Sequence, residues 1–413
     1  MPVSPKTRFP RQATFWLCLA ILVSRIIIIC VLAGRWTDLG VQKRYAGQIV
    51  AGQVPFRDFF PEYPPLVFLY TALPALIDPT LAWYFPIFRA IACAVDCGIW
   101  ITLLRVNKDR VGQNLLYLVG TTALGSLIYD RIDIVLGAIL MFATISVLNG
   151  REKAFQAAIG AGIAFKLIPV VFAPMILARE WKREGGNMLR ACALLFAPLL
   201  LTLAATAILG GYRFDKLLEF HVKRPVQLES SPAAVAMVLK MFGADGKVKF
   251  GFGGMNFESP NGNSLAATCT VLLAIACVAS AWIAWRRDLT NKSFALLLGA
   301  VLSTSLTLSK VLSPQYFLIL LPVLVVLPLP ADRTAAVACW LLSAAILVLT
   351  GIIFPWFYAD LIALRPEAEW MLILRNELLA LLSVSLWYRV LVTIYMPTRS
   401  PGQIVADPPS RGL

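Results

Sequence analysis

Apolar runs recur along almost the whole chain: Thr14 to Gly34, Leu81 to Leu104, Asn114 to Ile128, Ile132 to Leu148, Phe155 to Ala178, Leu189 to Gly210, Ser264 to Trp285, Ser293 to Leu308, Gln315 to Leu329, Thr334 to Phe354 and Met371 to Tyr395. A helix of about 20 apolar residues spans the hydrocarbon core of a bilayer. In that core every backbone amide must find its partner inside its own segment or a closed barrel. Helical-length runs without strand alternation therefore specify an all-α, polytopic transmembrane bundle. Composition agrees, since 15% of the residues are charged and 59% are hydrophobic, whereas soluble domains carry roughly a quarter charged.

The net charge of +14 would suggest nucleic acid in a soluble protein. Here the cations sit in short turns between apolar runs, where they set topology, and no nucleic-acid partner is expected. The eight cysteines all lie within apolar runs, lack zinc-site spacing and read as small core residues. The basic lead Lys6, Arg8 and Arg11 resembles a signal peptide, yet the run behind it is long enough to span, so it reads as a retained anchor.

Short cytoplasmic loops collect Lys and Arg. This rule places Arg105/Lys108/Arg110, Arg151/Lys153, Arg179/Lys182/Arg183, Arg286/Arg287/Lys292 and Arg333 inside with the N-terminus. Parity then requires an odd number of crossings between Arg35 and Arg105, so Pro65 to Ile77, too short to span, is expected as a juxtamembrane interfacial helix. Phe155 to Ala178 has basic flanks on both sides and is interrupted by Lys166 and Pro169. It is expected as two half-helices meeting at Lys166. The count becomes about 12 spans, with both termini cytoplasmic. Residues 1–395 then form one membrane domain whose outer loops are 35–63 and 211–263, and residues 396–413 form a short cytoplasmic tail.

The outer loops hold the candidate chemistry. Asp38 follows the first run directly and is either a solvated loop acid or a functional one. The same loop carries Arg57, Asp58 and Glu62 among aromatic residues, then Pro64-Pro65-Leu66. Proline suits a first helical turn, and the amides of Leu66 and Val67 behind it offer a seat for phosphate. Asp130-Arg131-Ile132-Asp133 forms a turn that is either paired within itself or functional. An unpaired Lys166 in an apolar stretch costs about 2.5 to 3.5 kcal/mol on insertion scales, so it needs an anionic partner. Arg25 and Asp96, each inside a run, are expected to pair. The large loop holds the single histidine, His221, beside Lys223 and Arg224, cations suited to a lipid phosphate. Lys240 lies on an apolar stretch, Pro232 to Phe242, able to rest on the membrane, and another outer turn carries Lys310 and Gln315. No Walker-type loop, His-Glu-x-x-His pair or Gly-x-Ser-x-Gly elbow occurs.

Taken in order, the acid after the first run, Tyr45, Gly52 to Asp58, Glu62 to Leu66, Arg131 to Asp133, Gly160 to Pro169 around Lys166, and Ser313 to Tyr316 resemble the polytopic glycosyltransferases of the GT-C superfamily. The likeness is greatest to the bacterial alpha-mannosyltransferases of glycosyltransferase family 87. It implies transfer of a sugar, mannose as the best guess, from a polyprenyl-phosphate donor to a lipid-linked or glycan acceptor on the extracytoplasmic face. By position the catalytic acid is Asp38, with Asp58 as its rival. The residues offered to the donor phosphate and substrate are Lys166, Arg131, Asp133, Arg224, His221, Arg57, Glu62, Lys310 and Gln315. No cofactor or metal site is expected, with a divalent ion left open. The alternative is a multi-pass transporter or lipid flippase using Arg25, Asp96 and Lys166 as a charge path.

Overall fold

The computed structural model describes residues 11–32, 38–108 and 110–395. The basic lead at Lys6 and Arg8, the tripeptide Arg35-Trp36-Thr37 and the expected tail 396–413 lie outside the described residues.

Helix α1 (Arg11–Ile27) continues into a π turn at Ile28–Leu32, and α2 (Leu39–Val50) follows Asp38. The segment expected as one interfacial helix is two short helices, α3 (Val67–Thr71) and α4 (Leu73–Ile77), with Leu69, Leu76 and Ile77 exposed on an apolar outer face. Helices α5 (Tyr84–Val106), α6 (Val111–Leu124), the short α7 (Leu127–Asp130) and α8 (Asp133–Leu148) come next. Helix α9 (Glu152–Phe165) stops where Lys166 turns extended (φ −157°, ψ 121°), and a 3-10 turn at Ile168–Phe172 leads into α10 (Ala173–Lys182). The break expected at Lys166 is therefore present. Pro169 lies within the 3-10 turn, lacks an amide hydrogen and cannot continue the α-helical ladder.

Helix α11 (Met188–Ile208) enters the large polar stretch, which holds α12 (Asp215–Lys223), α13 (Ser231–Met241) and an antiparallel hairpin, β1 (Lys247–Gly251) and β2 (Gly254–Glu258). The hairpin adds a small sheet to a chain read as wholly helical. Its two-residue tip, Phe252 (φ 52°) and Gly253 (φ 71°), has both residues left-handed, the geometry that matches strand twist. The ring of Phe252 lies against that of Phe220, 5.5 Å between centroids. The chain closes with α14 (Gly262–Arg286), α15 (Asn291–Thr307), α16 (Phe317–Leu324), α17 (Arg333–Gly351), α18 (Tyr358–Ile362) and α19 (Pro366–Tyr395).

Five helices among the described residues are long and apolar enough to cross a membrane, and shorter apolar helices pack among them. Helix α15 is the centre, buried at every position from Ser293 to Thr307. Close approach depends on small residues. A Cβ on Gly160 of α9 would stand 2.0 Å from the Leu194 carbonyl of α11, and one on Gly137 of α8 would stand 2.2 Å from the Leu318 carbonyl of α16. Near one end of α1, Arg25 bonds Asp96 of α5 at 2.8 Å and Thr121 of α6 at 2.9 Å, while Tyr117 and Tyr129 donate to the same carboxylate. The expected pair is thus a four-segment staple.

The basic turns bond among themselves at one end of the bundle. Arg179 and Arg183 reach Glu152, Lys182 reaches Asp288, and Arg179 donates to Asn291. Asn107 likewise donates to the Val325 carbonyl, and Trp340 to that of Gly112. The turns after α1, α7, α9 and α15, with the large loop, gather at the other end.

Candidate active site

The second set of turns encloses a cavity of about 570 Å³. Its polar wall includes Asp38, Glu62, Arg131, Lys166, His221, Arg224, Glu229, Lys310 and Gln315, and its apolar wall includes Leu167, Val171, Phe252, Leu273 and Leu306. Segments far apart in sequence reach it because each forms the same end of a different helix.

Asp38 precedes α2, and its carbonyl accepts from the Val41 amide at 2.9 Å. That bond anchors the backbone and leaves the side chain free of capping. The carboxylate is about half exposed (48%) and pairs with the guanidinium of Arg131, which is 10% exposed. The turn carrying Arg131 does not pair within itself. Asp130 takes Arg89 of α5 at 2.7 Å, Arg131 takes Asp38, and Asp133 takes Lys166 at 2.6 Å. Burial lowers Arg131 to about 10, still a cation at neutral pH.

Lys166 also lies over the ring of Tyr316, 4.4 Å to its centroid, with Tyr63 at 5.8 Å. The anion its position demands is supplied by the protein itself. Glu62 accepts from the Tyr45 hydroxyl at 2.9 Å. Burial and the neighbouring Arg224 push His221 below its ordinary value, so it is neutral at pH 7. Arg224 keeps a buried Nε with no acceptor among the described residues. Lys310 donates to the Val222 carbonyl at 3.0 Å, and burial together with Arg224 lowers its pKa. His221, Arg224 and Lys310 also line an adjoining groove of about 770 Å³ beside the start of α14.

Some sequence expectations change. Of the two amides expected behind Pro64-Pro65, that of Val67 is not free, because it donates to the Pro64 carbonyl at 3.2 Å. Arg57 and Asp58 are not among the residues lining the cavity. They pair with each other at 2.8 Å, Asp58 caps the Val54 amide, and Arg57 reaches the Leu209 carbonyl. Their contacts fasten the first outer loop to the end of α11. Lys240 is held by Glu369 of α19 at 3.0 Å, which ties α13 into the bundle.

The sequence reading missed Glu229, Tyr358 and Arg375. Glu229, 2% exposed, faces the cavity, and its carbonyl accepts from Arg375 at 2.7 Å and Asn376 at 3.3 Å. Tyr358 lines the cavity just past the Pro355 kink. Arg375 was legible, since it interrupts an apolar run as Lys166 does. Glu229 gave no signal, because an acid in a polar loop is ordinary until folding buries it.

A solved structure, ArnT from Cupriavidus metallidurans bound to undecaprenyl phosphate, is similar with a TM-score of 0.47 and 13% identity, over 91% of this chain and 78% of that one. Curated protein sequences give no match. The profile of glycosyltransferase family 87 matches residues 60–314, a span that takes in Glu62, Arg131, Lys166, His221, Arg224, Glu229 and Lys310. With well over half of the chain matched, this protein belongs to glycosyltransferase family 87.

Proposed function

We propose that the chain transfers a sugar, mannose as the first choice, from a polyprenyl-phosphate donor to a glycolipid or glycan acceptor on the extracytoplasmic face of the cell membrane. The observation that supports this most is the mixed wall of the cavity: one half-exposed acid, several cations and an apolar side, at one end of a helical membrane bundle. A sugar phosphate on a prenyl chain needs that combination. The phosphate meets cations, and the chain meets apolar helix faces.

The reaction on this reading is a single displacement with inversion. The acceptor oxygen bonds to the anomeric carbon as the bond from that carbon to the phosphate oxygen breaks. Asp38 takes the hydroxyl proton. The departing lipid phosphate needs charge stabilisation and no proton. Arg224, whose buried Nε has no acceptor among the described residues, and Lys310 are better placed for this than Lys166, whose charge already faces Asp133. Asp58, engaged by Arg57 away from the cavity, is the weaker candidate for the base.

The charge-path alternative loses its support here. Arg25 and Asp96 are satisfied by each other and by Thr121, Tyr117 and Tyr129, which leaves them no free charge to pass along.

The deciding experiment is activity of the purified protein in detergent, with polyprenyl-phosphate mannose against other polyprenyl-phosphate sugars and extracted membrane glycolipids as acceptors. Transfer from the mannose donor is expected. Transfer from another sugar alone would correct the substrate, and none from any donor would overturn the reading. For sidedness, Gln53→Cys and Asp245→Cys in a cysteine-free background should react with an impermeant maleimide on intact cells. Labelling only after permeabilisation would reverse the topology.

A further inference from the structure

Beside the Asp38–Arg131 pair, Glu229 is a buried acid that the mechanism above does not use. Glu229 lines the same cavity, and its carbonyl is fixed by Arg375 and Asn376. Two guanidiniums act on it electrostatically: Arg131 from the turn before α8 and Arg375 from α19. Tyr358 of α18 feels both Glu229 and Arg131. Arg131 in turn has a buried Nε with no acceptor among the described residues, while its Nη1 faces Asp38. Arg131 thus meets Asp38 directly and also feels the charges of Asp133, one turn along on the start of α8, and of Glu229.

We propose that Glu229 is a positioning residue for the base: it shares Arg131 with Asp38, and its charge decides how firmly Arg131 is held on Asp38. The proposal rests on Asp38 being the base. A guanidinium fully committed to a carboxylate favours its charged form and weakens it as a proton acceptor. An ionised Glu229 on the far side draws part of that field away, so Asp38 becomes the better base. Neutralised Glu229 gives Arg131 back to Asp38. Burial pushes Glu229 up to about 7 against the opposing pull of Arg375 and Arg131, which puts the change of charge near neutral pH.

The test is the pH profile of kcat/KM for mannose transfer from polyprenyl-phosphate mannose to extracted membrane glycolipid, in wild type, Glu229→Gln and Glu229→Asp. Wild type should rise through a limb centred near 7. Glu229→Gln should lose that limb and run about tenfold lower at pH 8, the effect of one unit in the basicity of Asp38. Its KM for the donor should hold. Glu229→Asp should keep a limb at a displaced pH. A merely structural role would scale the curve through the amount of folded protein and leave its shape alone, so parallel wild-type and Glu229→Gln profiles overturn the proposal.

Infrared titration supplies a readout independent of turnover. A protonated-carboxyl band that disappears near neutrality should be absent from Glu229→Gln and retained in Asp38→Asn; no such band in wild type also overturns the proposal, even if Glu229→Gln cannot be folded. Folded Asp38→Asn with normal turnover would instead overturn the reading of Asp38 as the base, so the two failures are distinguishable.

Discussion

Lys166 Nζ and Asp133 Oδ1 meet at 2.6 Å, joining the break after α9 to the first residue of α8, with the two side chains only 10% and 3% exposed. Charges removed this far from solvent are costly unless paired, and losing one partner leaves the other buried and uncompensated. The same lysine is therefore a structural element as well as a wall of the cavity.

Lys166→Ala should lower stability by about 3 to 5 kcal/mol, the usual effect of breaking a buried pair. The double change Lys166→Met with Asp133→Leu should recover much of the loss. Thermal unfolding in detergent of the singles and the double checks both. A stable Lys166→Ala protein with weakened binding of polyprenyl-phosphate mannose would show that Lys166 serves the donor phosphate directly.

Asp38→Asn keeps the size of the side chain and removes its charge. If Asp38 accepts the proton, turnover should fall by about 10² to 10⁴, the range for general-base groups, while donor binding survives. Asp58→Asn should have a much smaller effect, because Asp58 is fastened to Arg57 outside the cavity. Near-normal turnover in folded Asp38→Asn would move the search for a base to Glu229 and Glu62.

Much of the architecture was legible because membrane helices declare themselves by length and apolarity, and because Lys166 and Arg25 are too costly in lipid to stand alone. The Lys166 break and the Arg25–Asp96 pair both appear in the fold. Long-range partners were less accessible. Nothing in Asp130-Arg131-Ile132-Asp133 says that its three charges go to α5, Asp38 and Lys166 in turn. The burial of Glu229 depends on which elements pack together, which local composition does not encode.

Arg25 and Asp96 tie α1 to α5 and α6 with side chains 6% and 3% exposed. Asp96→Ala strands a buried guanidinium and removes the acceptor of Tyr117 and Tyr129, so a loss of about 3 to 5 kcal/mol is expected. The effect should appear as lower melting temperature and lower yield of inserted protein, with KM unchanged in the folded fraction. A folded Asp96→Ala protein of normal stability and altered KM would instead place this cluster in substrate handling.

Glu229 also carries a prediction for stability against pH. Its carboxyl is raised from 4.5 to about 7 in the folded protein, mainly by burial. Below the unfolded value both states hold the proton, and its contribution to stability is fully present. As pH climbs, the unfolded chain releases the proton first while the native state keeps it, so the unfolded state binds fewer protons and stability declines with pH until about 7, then levels. The loss amounts to roughly 3 kcal/mol, one unit being about 1.4 kcal/mol. Glu229→Gln has no proton to lose at this site. The stability difference between Glu229→Gln and wild type, followed by thermal unfolding in detergent, should therefore shift in favour of the variant by about that amount between pH 4.5 and 7. A pH-independent difference would mean that Glu229 stays ionised throughout, held by Arg131 and Arg375 more strongly than burial opposes it.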